Sequence, residues 1–99
     1  MKTLTPKQRK ELKALAHHLT PVVLIGKQGF TEGLCTEVKQ ALLSHELIKV
    51  KFNDHKTERL AISETVATAT ESALVATLGN ISIFFKPHPD PSLRKIKGI

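Results

Sequence analysis

The 99-residue sequence predicts an α/β domain, with one four-stranded mixed sheet and three helices in the order α-β-α-β-α-β-β. Three observations carry this reading. A short apolar run, Pro21 to Ile25, and an alternating run, Glu46 to Phe52, bracket a segment of helical period. That is a βαβ unit, so its strands should be parallel. Two further β-rich runs flank Gly79-Asn80, a two-residue hairpin turn.

The first helix has a clear start. Thr5 can cap it, Pro6 suits its first position, and Gln8 stands where a capping-box partner belongs. Leu12, Leu15, Ala16 and Leu19 make one apolar stripe, with Lys7, Arg9, Lys10 and Lys13 on the remaining surface. Thr20-Pro21 should stop it, because a residue before proline leaves the α region.

Pro21 to Ile25 is apolar without alternation, which predicts a strand buried on both faces. Gly26-Lys27-Gln28-Gly29 is the turn, and Thr31 caps a second helix whose inner stripe is Leu34, Val38, Ala41, Leu42 and His45. In the next strand Ile48, Val50 and Phe52 face one way, while Leu47, Lys49 and Lys51 face the other.

Asn53-Asp54-His55 makes a loop, and a third helix is expected from Lys56 to Glu71. Leu60, Ile62, Val66, Ala69 and Ala73 would lie nearest the core, although the threonines here lower helix propensity. Strands 73–78 and 81–85 close the sheet, and at least two of Phe52, Phe84 and Phe85 should be core. The domain is expected to span 1–86. Residues 87–99, with Pro87, Pro89 and Pro91, read as an extended, poorly packed basic tail.

Composition narrows the function. Hydrophobic residues are 40% and charged residues 24%, too apolar for disorder. The longest apolar run is four residues, Val22 to Ile25, far short of a membrane span. No apolar stretch follows MKTLTPKQRK, so no secretory signal is expected. The single Cys35 cannot form an internal disulfide and fits a reducing cytoplasm. Net charge is +6, and its distribution is uneven. Residues 1–30 carry +5, 31–72 carry −2, 73–85 carry none, and 86–99 carry +3. A basic surplus at both ends of the chain suits a polyanionic partner.

Few residues suggest chemistry. The GxxxxGK[ST] and GxGxxG patterns are absent, the five histidines show no ligand spacing, and the acidic residues form no catalytic arrangement. No enzyme, cofactor or metal is expected. Gly26 to Gly29 is the exception. Two glycines between a strand and a helix start let a ligand approach the main chain, and the helix dipole favours an anion there. Lys27 adds charge and Gln28 a neutral donor. A strand-to-helix turn also needs glycine for purely structural reasons, so the pattern alone leaves both readings open. Aromatic stacking platforms lack material: there is no Trp or Tyr, and Phe30 is the one candidate outside the strands.

The run Pro21-Val-Val-Leu-Ile-Gly-Lys-Gln-Gly-Phe-Thr-Glu-Gly33, then Ala41-Leu42 and His45-Glu46-Leu47-Ile48-Lys49-Val50, resembles the CRM domain (chloroplast RNA splicing and ribosome maturation). Leu4-Thr5-Pro6-Lys7-Gln8 and Leu15-Ala16-His17 fit the same pattern, and the resemblance runs through residues 4–86. A single domain of this kind is similar to the stand-alone bacterial YhbY-type proteins. The resemblance implies a fold similar to the C-terminal domain of translation initiation factor 3. It also implies RNA binding, in association with precursors of the large ribosomal subunit. The family's binding loop maps onto Gly26, Lys27, Gln28 and Gly29. Charge distribution extends the expected RNA surface to Lys7, Arg9, Lys10 and Lys13, and to Arg94, Lys95 and Lys97 in the tail. The expected partner is ribosomal RNA, with no membrane, and the expected state a cytoplasmic monomer. The alternatives are a protein-interaction module docking an acidic ribosomal protein or assembly factor, and a small-molecule anion site at the loop.

Overall fold

The computed structural model describes residues 3–99. Met1 and Lys2, counted above in the basic N-terminal segment, lie outside the described residues. Helix α1 (Pro6–Ala16) opens with the expected capping box. Thr5 Oγ1 accepts from the Gln8 amide at 3.1 Å, and Gln8 Oε1 accepts from the Thr5 amide at 3.0 Å. The helix ends four residues earlier than Thr20, in a turn closed by Leu19 N–H donating to the Ala16 carbonyl. Its buried line is therefore Leu12 and Ala16, while Leu15 stays 51% exposed and Leu19 is also exposed, against the expected four-residue stripe.

Strand β1 (Val23–Ile25) pairs in parallel with β2 (Leu47–Phe52) through α2 (Glu32–His45), giving the predicted βαβ unit. The sheet order is β1-β2-β4-β3, with β3 (Ala73–Leu78) and β4 (Ile81–Phe85) antiparallel across Gly79-Asn80. Gly79 has φ +58°, as a tight hairpin turn requires. Val75 is an extra residue between the pairs Leu74↔Phe84 and Ala76↔Ile83, a bulge in β3.

The sheet is covered unequally. Leu34, Val38 and Leu42 of α2, with Val66 of α3 (Arg59–Thr70), pack on Val23, Ile25, Ile48, Val50, Phe52 and Phe84. Leu12 and Ala16 pack on Leu47, Val75, Ile83 and Phe85 from the other side. Because α1 lies over β3, β2 and β4, it leaves β1 open on its own face. Leu24 is 57% exposed and Val22 47%, so the expectation of a strand buried on both sides is corrected: β1 is an edge strand with one free face. Phe52, Phe84 and Phe85 are all core.

The third helix also departs from its expected stripe. Lys56–Glu58 forms a separate 3-10 turn, and α3 buries Ser63, Val66, Ala67 and Thr70 while Leu60 and Ala69 are exposed. Ala73 belongs to β3. Small hydroxyl residues can line this face because each finds a partner. Ser63 Oγ and Ser82 Oγ are 2.7 Å apart, and Thr70 Oγ1 donates to the Val66 carbonyl at 2.7 Å. His45, expected in the inner stripe of α2, is exposed.

The segment after β4 is not the loose tail its prolines suggested. Glu46, fully buried with φ +64° at the α2–β2 junction, accepts backbone bonds from it. The His88 amide donates to Oε2 at 2.8 Å; the Lys95 and Ile96 amides donate to Oε1 at 2.5 and 3.0 Å. Ile96 and Ile99 then pack against the α1-side core. Burial works against the Glu46 charge, but those three N–H donors and nearby His88 outweigh it and hold the carboxyl below the usual glutamate value.

Candidate nucleic-acid interface

The Gly26–Gly29 corner follows directly from the end of β1. The Asn53 amide donates to the Ile25 carbonyl at 2.9 Å, and the Gly29 amide closes the turn on the Gly26 carbonyl at 3.0 Å. Gly29 has φ +65°, where an L side chain is strained. A Cβ on Gly29 would also stand 3.4 Å from His55 Nε2, whereas one on Gly26 would meet nothing within 4 Å. Only the second glycine is thus demanded by the backbone.

His55 supports the corner from below. Its Nε2 lies 2.7 Å from the Lys27 carbonyl oxygen. A carbonyl only accepts, so the imidazole carries its proton on Nε2. His55 itself is left-handed, with φ +57°, and its amide donates to Asp54 Oδ1 at 2.7 Å. Above this support Gly26, Lys27 and Gln28 are exposed, while Gly29 is buried. The Lys27 and Gln28 amides have no hydrogen-bond partner among the described residues. Thr31 Oγ1 accepts from the Leu34 amide at 3.0 Å, and the Cys35 amide donates to the Thr31 carbonyl. The amides of the first two residues of α2, Glu32 and Gly33, precede the helical ladder and add partial positive charge beside the loop. Glu32 in that turn opposes an anion placed too close. Phe30 is 42% exposed next to Gly29.

The basic residues divide into two groups. Lys7, Lys10 and Lys13 are exposed on α1. Arg9 is not free: Nη1 donates to the Leu74 carbonyl at 2.6 Å and the Val75 carbonyl at 2.9 Å, across the β3 bulge. Leu74 pairs with Phe84, which pairs with Ile48, near one end of the sheet and on its β3 edge. Ile25 pairs with Phe52 at the other end, on the β1 edge. Arg9 therefore sits at the sheet corner diagonal to the glycine loop, and the structure does not bring the two together. In the tail, Arg94 Nε donates to the His88 carbonyl at 2.9 Å and Lys95 Nζ to the Ser44 carbonyl at 2.8 Å, leaving Lys97 exposed.

Two residues named above only for their alternation lie closer to the loop. Lys49 and Lys51 project from β2 on the face that α1 partly covers, opposite Ile48, Val50 and Phe52. Lys51 pairs with Leu24 and with Ile81. The alternation of that strand was the signal for this face. Nothing in the sequence around His55 announced its role, because its partner lies 28 residues away.

A separate apolar groove of about 410 Å³ runs between Leu15, Leu19, Val22, Leu47 and Ile96. Among the described residues no group of three His, Cys, Asp or Glu side chains could hold a metal ion, and no helix is long and apolar enough to cross a membrane.

Comparison with known proteins adds a family. The model of the CRS1 / YhbY (CRM) domain matches residues 4–86. An RNA-binding protein of Haemophilus influenzae is 43% identical over 96 residues, covering 95% of this chain and 96% of its own. A Pseudomonas aeruginosa protein named "Probable RNA-binding protein" is 36% identical over 90 residues, covering 90% of this chain and 86% of its own. A Staphylococcus aureus protein described as a candidate RNA-binding protein has a solution structure that superposes with a TM-score of 0.79. It is 29% identical, covering 95% of this chain and 99% of that one.

Proposed function

The chain belongs to the CRS1/YhbY (CRM) family, and from that premise we propose that it binds ribosomal RNA in precursors of the large ribosomal subunit through the Gly26–Gly29 corner. RNA binding is the property named for its relatives. The ribosomal target follows from the resemblance to the stand-alone bacterial members. One observation carries the choice of site: Lys27 and Gln28 stand exposed, with unpaired amides, on a turn held from below by His55.

The mechanism is electrostatic and positional. Phosphate oxygens approach the bare amides of the corner and the opening turn of α2, while Lys27 pairs with a neighbouring phosphate. Lys7, Lys10 and Lys13 add a separate positive field on α1, the helix that carries Arg9 away from the corner. Arg9 contributes its charge from a fixed place, tied to the β3 bulge. Specificity rests on RNA shape and backbone, since among the described residues Phe30 is the only exposed phenyl ring near the loop.

Lys27→Ala tests this. Affinity should fall for every RNA sequence alike, and the plot of log K against log salt should become shallower by about 0.7 to 0.9. Unchanged affinity and slope would overturn the loop assignment. In cells, crosslinking with sequencing of the attached RNA should recover large-subunit ribosomal RNA.

A second reading has its own observation, the apolar groove beside α1. An acidic ribosomal protein or assembly factor docked there would make RNA association indirect. Nuclease treatment of a pull-down separates the two: loss of the partners supports direct RNA binding, retention supports the protein interface.

A further inference from the structure

We infer that the uncovered half of the α1-side sheet face, centred on Lys49 and Lys51 of β2, is a second RNA-backbone contact continuous with the glycine loop. The inference rests on the RNA-binding reading and deepens it by naming a surface.

The surface exists because α1 stops short of it. Helix α1 and the C-terminal segment cover Leu47, Phe85, Val75 and Ile83. Beyond them the same face carries Val22 beside Lys49, tied by the Val22 amide donating to the Lys49 carbonyl at 3.0 Å. One step nearer the loop, Lys51 stands between Leu24 and Ile81. Lys49 and Lys51 are half-buried, so their aliphatic stems lie along the sheet. The Lys51 ammonium makes no hydrogen bond among the described residues, and Lys49 Nζ only reaches the His17 carbonyl at 3.5 Å.

The spacing suits a repeating anion. Alternate residues of a strand lie about 6.6 Å apart, comparable to successive phosphates of one RNA strand. β1 runs beside β2 in parallel register and ends at Ile25, immediately before Gly26. A backbone lying on Lys49 and Lys51 therefore points at Lys27. Exposed Leu24 and Val22 offer apolar surface to ribose, and among the described residues no exposed aromatic ring stands on this uncovered half for base stacking. No acidic side chain stands among these residues. A polyanion is thus the occupant this face matches, and its backbone is the part recognised.

The test uses the full chain with a short mixed-sequence RNA, single-stranded and as its duplex, across a salt series. The double variant Lys49→Gln/Lys51→Gln should weaken binding to whichever form the unmodified protein binds, on the order of tenfold near physiological salt. Its salt slope should be shallower by about 1.4 to 1.8, two phosphates' worth. Lys49→Arg/Lys51→Arg keeps the charge and should bind as the unmodified protein does, which separates lost contact from disturbed folding. If the glutamine variant binds normally while Lys27→Ala is impaired, this surface is not a contact and the loop reading survives. If binding falls equally in the arginine variant, the lysines act through the fold and the inference fails. If the unmodified protein binds neither RNA form, both readings fall together.

Discussion

His55 Nε2 sits 2.7 Å from the carbonyl oxygen of Lys27, so a residue after β2 holds the exposed turn after β1. The same ring would stand in ordinary contact, 3.4 Å at Nε2, with a Cβ placed on Gly29. Parallel pairing of β1 and β2 makes this possible, because it brings the C-terminal ends of both strands to one end of the sheet.

The two glycines should therefore differ. Gly29→Ala places a Cβ at φ +65° against His55 and should cost about 1–2 kcal/mol. Gly26→Ala meets nothing within 4 Å and should be close to neutral. Urea denaturation of the two variants checks the contrast, and equal losses would mean that the turn has relaxed around position 29.

His55→Ala should act on RNA without touching it. Loss of the bond to Lys27 loosens the turn and lowers affinity, but no phosphate contact disappears. Affinity should fall with the salt slope unchanged, whereas Lys27→Ala changes both. A shallower slope for His55→Ala would indicate that the imidazole meets phosphate directly.

Arg9 is expected to matter for folding more than for binding. Its guanidinium satisfies two carbonyls at the Val75 bulge, and hydrogen bonds to charged groups contribute about 1.5–3 kcal/mol each. Solvent access at this half-buried site reduces that, so Arg9→Ala should destabilise by about 2 kcal/mol in chemical denaturation. Arg9→Lys should restore only part, because its shorter side chain holds the ammonium back from the point where Nη1 meets both carbonyls.

Glu46 gives the fold an acid limit. Its folded carboxyl is held below the ordinary glutamate value, so the unfolded chain binds more protons between the two. The stabilisation is complete above the unfolded value and is lost as pH falls through the depressed folded one. Glu46→Gln should flatten stability against pH in that acid window. It should also loosen the 87–99 segment, seen as faster proteolysis there, since glutamine keeps one acceptor oxygen and turns an NH2 donor toward either the His88 amide or the Lys95 and Ile96 amides.

The buried hydroxyl pair offers a control on core polarity. Ser63→Ala alone leaves Ser82 without its partner and should cost about 1–3 kcal/mol. Replacing both serines with alanine should recover much of the loss in thermal denaturation, because neither polar group then remains buried.

Local chemistry makes much of this protein legible in its sequence. Thr5-Pro6 and Gln8 specified the start of α1, the alternation of Ile48, Val50 and Phe52 specified the buried face of β2, and Gly79-Asn80 specified the hairpin. Each depends on neighbours within a few residues, so the chain alone determined the element order and placed Gly26 to Gly29 between strand and helix. What it left open depended on which element covers which. Leu24 reads as core until α1 lies over β3, β2 and β4 instead of β1, and the proline-rich end reads as loose until buried Glu46 gathers its amides. Arg9 reads as one of four equivalent cations until the β3 bulge turns two carbonyls toward it. Burial and long-range hydrogen bonds are properties of packed surfaces, and only the tertiary structure decided them.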